Sequence, residues 1–387
     1  MKLHRPALIA AAGVAAVLIL GTAAGAAPMS AGHSRPPADS LRTLASHVGL
    51  RVGTAVNTDK LAADTAYAGI VADQFSTVTA ENVMKWDTIE PSRGTENFGP
   101  ADQLVSFARA HGQLVRGHTL LWHNQIPGWL TAGVADGSIT SSALRDIVRR
   151  HITDEVSHFR GKIWQWDVAN EFFTDSNPST INPNDFWVSH LGVGIIADAF
   201  RWAHAADPHA LLFYNDYNIA GEDGSNAKSD AVYAFVRQLR SQGVPVDGVG
   251  DQGHLDTQYG FPTLLTQDLR RYTAAGFKVA ITEADVRTFV KTTDASQTPT
   301  DSLATFAQPY EYSQMLKACL AVRDCLSFTV WGVSDADSWV PNTFKGEGYA
   351  DIYDVNLNPK AAFTAMQQDL SLAAGGTPHR TGAGAHF

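Results

Sequence analysis

Along the middle of this 387-residue chain one structural phrase recurs: a short apolar, β-branched run ending in polar or aromatic residues, followed by a helix-like stretch. The runs lie at 51–57, 75–82, 114–122, 162–171, 211–218, 248–255, 278–286 and 325–334. Between them, segments such as 101–112, 141–159, 229–242 and 262–275 are amphipathic, and several end at glycine, as helices commonly do. Strands alternating with helices pair in parallel through right-handed crossovers. Eight of them in a chain of this length fit an α/β fold, a single (β/α)8 TIM barrel, which takes roughly 250 residues or more. A doubly wound open sheet would want a Gly-rich phosphate loop after its first strand, and GTAVNTDK offers no GxGxxG. No sequence repeat of constant period argues for a solenoid.

Composition narrows the partners. With 29 Lys+Arg against 39 Asp+Glu, the formal charge is −10, which argues against a nucleic-acid partner. Hydrophobic residues make up 44% and charged residues 18%, too apolar a balance for a disordered chain. At the amino terminus, Lys2, His4 and Arg5 precede the uncharged run 7–20 and the small residues Ala24-Gly25-Ala26. A charged start, an apolar middle and an A-x-A site read as a signal peptide over 1–26, cleaved after Ala26, and hence as a secreted, extracellular protein. The rival is an uncleaved anchor, but the apolar part is only 14 residues long, short of the roughly 20 needed to span. No membrane partner is expected after cleavage. The Pro-, Gly- and Ala-rich segments 27–40 and 374–387 read as a disordered linker and tail, leaving 41–373 for the barrel. In an oxidising compartment Cys319 and Cys325 can close a small disulfide loop, the alternative being two buried thiols. The bridge is the expectation.

A barrel of this kind carries its active site at the C-terminal ends of the strands. Those ends read Asn57, Glu81-Asn82, His118 to His123, Asn170-Glu171, Asn215 to Asn218, Gln252 and His254, Glu283 to Asp285, and Trp331. Glu171 closes WQWDVANE and Glu283 closes VAITEAD. Each ends an apolar strand, where a carboxylate is partly desolvated and costly unless it is paired. Two carboxyl groups facing each other across a sugar-sized cleft are what glycosidic hydrolysis needs. Taken singly, either Glu could equally be half of a strand-end salt bridge; together, among Asn, Gln, His and Trp, they favour chemistry. Other chemistries lack their residues. His118 and His123 project to opposite faces of an extended strand and make a poor metal pair. There is no HExxH, cysteine cluster, GxSxG elbow or GxxxxGK[ST] loop. No metal and no cofactor is expected.

The segments FSTVTAENVMKWDTIEPSRG, VRGHTLLWHNQIPGW, WDVANE, YNDYN, VGDQGHL, ITEAD and FTVWGVSDADSW, in this order, resemble the glycoside hydrolase family 10 endo-β-1,4-xylanases. The resemblance covers roughly 41–371. It implies a (β/α)8 barrel acting on xylan or xylo-oligosaccharides, with retention of anomeric configuration. By the same resemblance Glu171 is the acid/base and Glu283 the nucleophile. Asn170 meets the sugar 2-hydroxyl, His254 bonds the nucleophile, and Asp285 stands behind His254. Glu81, Asn82, Lys85, His118, Trp122 and Gln125 resemble the glycone subsites, Trp331 and Trp339 the aromatic platforms, and Tyr217 an aglycone contact. Gln252, in DQGHL, joins the substrate-binding set.

Of the nine tryptophans, the remaining six (Trp86, Trp129, Trp164, Trp166, Trp187 and Trp202) are assigned to packing. Three departures from the family pattern stand near the site, one of them WDVANEFF, with Ala169 and a second Phe, Phe173, where Val and a smaller residue are frequent. Ala284 takes the place of a larger side chain in ITEAD, and Asn124 stands where Ser is commoner in WHNQ. A glucan-acting hydrolase on the same barrel, or a non-catalytic glycan-binding barrel, are the competing readings. A monomer is expected.

Overall fold

Parallel pairing follows the chain order in the computed structural model, which describes residues 36–222, 224–291 and 295–375. The expected leader, most of the linker and nearly all of the tail lie outside the described residues. The strands are β1 (Arg51–Val56), β2 (Thr77–Ala80), β3 (Leu114–His118), β4 (Gln165–Asn170), β5 (Leu211–Asp216), β6 (Gly248–Asp251), β7 (Lys278–Phe289) and β8 (Cys325–Val330). Each pairs in parallel with the next, and β8 pairs back to β1 through Arg51↔Ser327 to Thr54↔Val330. The sheet is a closed eight-stranded barrel, as expected.

The crossover helices include Gly99–Ala110, Ser141–His158, Ala227–Ser241 and Leu265–Ala274, within three residues of the expected spans. Their starts are written locally. The Asn57 side chain accepts from Asp59 N and Lys60 N, Asp64 from Ala66 N and Tyr67 N, and Thr140 from Ala143 N, each satisfying amides that a helix start leaves bare. Apolar faces such as Leu144, Ile147, Val148, Ile152 and Val156 then pack inward on the barrel. The last helix, Ala361–Gly375, buries Phe363, Met366 and Leu370. Gln367 Nε2 donates to Asp39 O at 2.8 Å and ties this helix to the first described turn. No helix among the described residues is long and apolar enough to cross a membrane.

Several expected strands overrun the observed ones. The run 114–122 is strand only to His118, 162–171 begins at Gln165, and 248–255 is broken at Gly253, where φ is +76° and the chain restarts as the short strand His254–Asp256. For 114–122 and 248–255 it is the C-terminal end of the run that leaves the ladder, whereas 162–171 overruns at its start.

Three strands also carry an extra residue: β8 does so between Cys325 and Phe328, opposite Val279 and Ile281, and β4 and β7 do so nearer the C-terminal face. Opposite β5, Asp167↔Phe213 is followed by Ala169↔Tyr214, so β4 carries one extra residue. Opposite β8, Ile281↔Phe328 is followed by Ala284↔Val330, so β7 carries one as well. A bulge re-aims the side chains beyond it. In β4, Gln165 and Asp167 face the barrel interior, and strict alternation would send Asn170 outward. The extra residue turns Asn170 inward, where its Oδ1 accepts from Asn215 Nδ2 at 2.8 Å. In β7 it lets consecutive residues, Thr282 and Glu283, both reach Asn215.

The barrel interior is polar where the strands read as apolar. Arg116 sits buried against Asp167, donating through Nη2 to Oδ1 and through Nε to Oδ2 at 2.9 Å, and its Nη1 meets Gln165. Burial works against the Asp167 charge, but Arg116 and His118 outweigh it and hold this carboxyl below its usual range. Cys319 and Cys325 form the expected disulfide, with an S–S distance of 2.04 Å, joining the helix Ala304–Leu320 to β8.

Candidate active site

A cleft of about 1210 Å³ opens over the C-terminal ends of the strands. Glu81, Asn82, Lys85, His118, Trp122, Gln125, Glu171, Tyr217, Gln252, His254, Glu283, Trp331 and Trp339 line it, so nearly the whole expected set is gathered there. Asn170 and Asp285 are fully buried behind that lining.

Glu283 is buried at the cleft floor. Its Oε1 accepts from Asn215 Nδ2 at 2.7 Å, and its Oε2 lies 3.3 Å from His254 Nε2. Burial opposes its ionisation, yet the His254 hydrogen bond and the nearby His118 and His254 rings prevail and lower its pKa below the ordinary value. His254 Nδ1 lies 3.0 Å from Asp285 Oδ2, and Trp339 Nε1 donates to the same oxygen at 2.7 Å. Desolvation lowers the imidazole pKa, but Asp285 and Glu283 dominate and push it up to about 10. The ring is therefore an imidazolium between two carboxylates at neutral pH. Trp339 holds Asp285, which holds His254, which holds Glu283.

Glu171 stands at the end of β4 with φ +62°, a left-handed backbone that non-glycine residues rarely adopt. Gln125 (+48°) and Asn218 (+55°), also in the cleft wall, share that feature. Such strain persists where surrounding contacts over-determine it, often at functional sites. Here the contacts are Trp122 Nε1 donating to Glu171 Oε2 at 2.7 Å and Gln252 Nε2 donating to Oε1 at 2.8 Å. His123 Nε2 lies 4.0 Å from Oε2. The two carboxyls are joined through amides. Gln252 Nε2 also approaches Asn170 Oδ1 at 3.5 Å, and Asn170 Oδ1 accepts from Asn215, which donates to Glu283 as well.

On one wall of the cleft, Asn82 Nδ2 donates to Glu81 Oε1 at 3.2 Å, while Lys85 Nζ donates to Asn82 Oδ1 at 3.0 Å and lies 4.9 Å from the Trp122 ring centroid. Burial lowers the Lys85 pKa and raises that of Glu81, against the pull of their charged neighbours. His118 pairs with Asp167 at 3.0 Å and meets the Trp331 ring edge-on at 5.1 Å. Tyr217 on the opposite wall donates to Asp175 Oδ2 at 2.9 Å, with Lys228 Nζ 3.5 Å from its ring centroid.

Trp122 and Gln252, expected as sugar contacts, line the cleft and also hydrogen-bond Glu171 directly. Asn215 was only one polar residue among several in YNDYN, yet it bridges Glu283 and Asn170. No local sequence signal marks it: what sets it apart is its register opposite Asn170 and the close approach of Gly250, where an added Cβ would fall 2.3 Å from Asn215 Oδ1. Ala284 is wholly buried and does not line the cleft, so this departure lies in the core behind β7. Asn124 does line the cleft. Among the described residues no group of three or more His, Cys, Asp or Glu side chains is arranged to hold a metal ion.

A barrel with two carboxyl groups facing one polar, aromatic cleft defines a class, the (β/α)8 glycoside hydrolases. The glycosyl hydrolase family 10 model matches residues 40–369, and the chain belongs to that family. An endo-1,4-beta-xylanase of Agaricus bisporus is 40% identical over 329 residues, covering 84% of this chain and 93% of the relative. Endo-1,4-beta-xylanase B of Thermotoga neapolitana is 37% identical, covering 85% and 90%. Among solved structures, xylanase 10B from Thermotoga petrophila in complex with xylobiose aligns with a TM-score of 0.80 at 36% identity, covering 89% of this chain and all of the other.

Proposed function

We propose that this protein is a secreted endo-1,4-β-xylanase that cleaves internal bonds of xylan with retention, Glu283 acting as nucleophile and Glu171 as acid and then base. The observation that carries the roles is the asymmetry of the two carboxyls. Glu283 is buried, ionised and aimed by Asn215 and His254. Glu171 is nearer solvent and held by two N–H donors at the cleft wall. A carboxylate held charged beneath the sugar is suited to attack the anomeric carbon; one at the wall is suited to protonate the departing oxygen. In the first step the Glu283 oxygen bonds to the anomeric carbon as the glycosidic C–O bond breaks, and the Glu171 proton passes to the leaving oxygen. In the second, water gives its proton to Glu171, bonds to the anomeric carbon, and frees Glu283. Trp331 and Trp339 offer indole faces to the apolar side of the sugar. The xylan assignment is supported by the named activities of the relatives and by the xylobiose complex.

Variant kinetics test the roles. Glu283→Gln should abolish turnover of every substrate. Glu171→Ala should lower turnover of xylan by about 10²–10⁴-fold, the usual worth of a general acid, while sparing the first step on aryl xylobiosides with good leaving groups. Equal loss of that first step in both variants would overturn the assignment. Release of reducing sugar from cellulose at a rate matching that from xylan would favour the glucan reading.

A further inference from the structure

Away from the cleft, Arg149, Thr153, Ser157, Arg160, Trp202, Ala205 and Ala206 enclose a hollow of about 230 Å³. It lies between the helices Ser141–His158 and Gly194–Ala206, near their C-terminal ends. Those ends feed the starts of β4 and β5, so the hollow is at the opposite end of the barrel from Glu171 and Glu283. Its volume is below the roughly 300–1,000 Å³ of a site for a drug-sized ligand and admits about one sugar ring.

The chemistry of its walls is specific. Trp202 packs against the core and has the Arg145 guanidinium 5.5 Å from its ring centroid, and the part of its indole left uncovered borders the hollow. The neighbouring arginines are paired: Arg145 and Arg201 with Asp198, Arg150 with Glu90. Arg149 and Arg160 are exposed and have no ion-pair partner among the described residues. Two guanidiniums without a carboxylate partner thus flank one indole at this hollow. Thr153 and Ser157, one helical turn apart, add two hydroxyls on the same wall.

We propose that this hollow is a second carbohydrate site, which takes a uronic-acid residue borne on an acidic xylan. The indole covers the apolar face of the pyranose, the guanidiniums meet its carboxylate, and the hydroxyls reach its ring oxygens. A free phosphate would use the cations and leave the indole idle. An anionic membrane surface calls for a cluster of 4–8 basic residues, more than the two unpaired here. The site rests on the xylanase reading for its ligand. It does not extend the cleft; it anchors the enzyme to the polymer, so that the cleft samples xylan at high local concentration.

Sedimentation with insoluble glucuronate-bearing xylan tests this. The Glu283→Gln protein is used to prevent hydrolysis, with the cleft saturated by a soluble neutral xylo-oligosaccharide. Arg149→Gln/Arg160→Gln in that background should reduce the bound fraction by about fivefold, the worth of two exposed charge contacts, as should reduction of the xylan carboxyls to alcohols. Trp202→Ala should do the same, and the arginine pair, being exposed, keeps the test sound should that variant fold poorly. In the active background, the arginine variant should cleave the neutral oligosaccharide at the parent rate. Unchanged retention of the arginine variant, or equal retention on carboxyl-reduced xylan, overturns the proposal. Failure of the active parent to cleave any xylan would instead overturn the function assigned to the cleft, and the retention measurement would still report on the hollow.

Discussion

At the level of single residues, the site is organised around one imidazole. His254 stands between Glu283 and Asp285, and the two carboxylates raise its pKa to about 10 against desolvation. Its charged form therefore stabilises the fold fully below about pH 6.5, the ordinary histidine value, and that contribution is lost as pH rises through about 10. The same contact keeps Glu283 ionised. His254→Ala removes a donor while leaving the burial that raises a carboxyl pKa. The acid limb of the kcat/KM profile should then move to higher pH, read from initial rates across pH 3–7 (about the carboxylate range). An unmoved limb would mean that His254 does not set the ionisation of Glu283. Glu171, Glu283 and His254 were legible in the sequence because each ends an apolar run in a motif long enough to match a family. Asn215 was not, because what distinguishes it from its polar neighbours is a cross-strand partner that only the register supplies.

Among the elements, the bulges in β4 and β7 turn ordinary strands into carriers of chemistry. Period-2 reading of 162–171 and 278–286 finds the strands but cannot find an inserted residue, so it misassigns which side chains face inward beyond it. The overrun of 114–122 has the same origin: apolar Leu120 and Leu121 continue the strand's composition after its hydrogen bonding has ended. Gly250 on β6 is a point of close approach beside the site. A Cβ there would meet Asn215 Oδ1 at 2.3 Å, Thr282 Cγ2 at 2.7 Å and Arg116 Nη2 at 3.1 Å. Gly250→Ala should cost about 1–3 kcal/mol by overpacking, measured by denaturant unfolding, and lower kcat by displacing the amide that aims Glu283. At the far side, Cys319→Ser/Cys325→Ser opens the disulfide between a helix and β8. Loop-closure entropy for so short a loop predicts a loss of roughly 2 kcal/mol, with kcat unaltered.

For the molecule as a whole, the last described helix packs against the first. The helix Ala361–Gly375 buries Phe363, Met366 and Leu370 against the helix Ala304–Leu320 and the amino-terminal helix Leu41–Ser46. At about 1.5–3 kcal/mol for each large apolar side chain, those three account for roughly 5–9 kcal/mol, comparable to the 5–15 kcal/mol net stability of a typical domain. Truncation after Lys360 should therefore abolish cooperative unfolding by calorimetry, whereas an unchanged midpoint would mean that this helix adds little to the fold. The barrel class was legible because eight strand–helix units announce it. The charged interior around Arg116 and Asp167 was not, since a buried ion pair spread over two strands leaves no local pattern in either.

Trapping the covalent bond between Glu283 and the sugar tests the proposed mechanism at its key step. A 2-deoxy-2-fluoro xylobioside with a good leaving group slows the second step more than the first and should accumulate the intermediate. Intact mass spectrometry should then find one added glycosyl unit per chain, and peptide mapping should locate it on Glu283. A label on Glu171, or no label while the wild-type enzyme releases product of inverted configuration, would contradict the account.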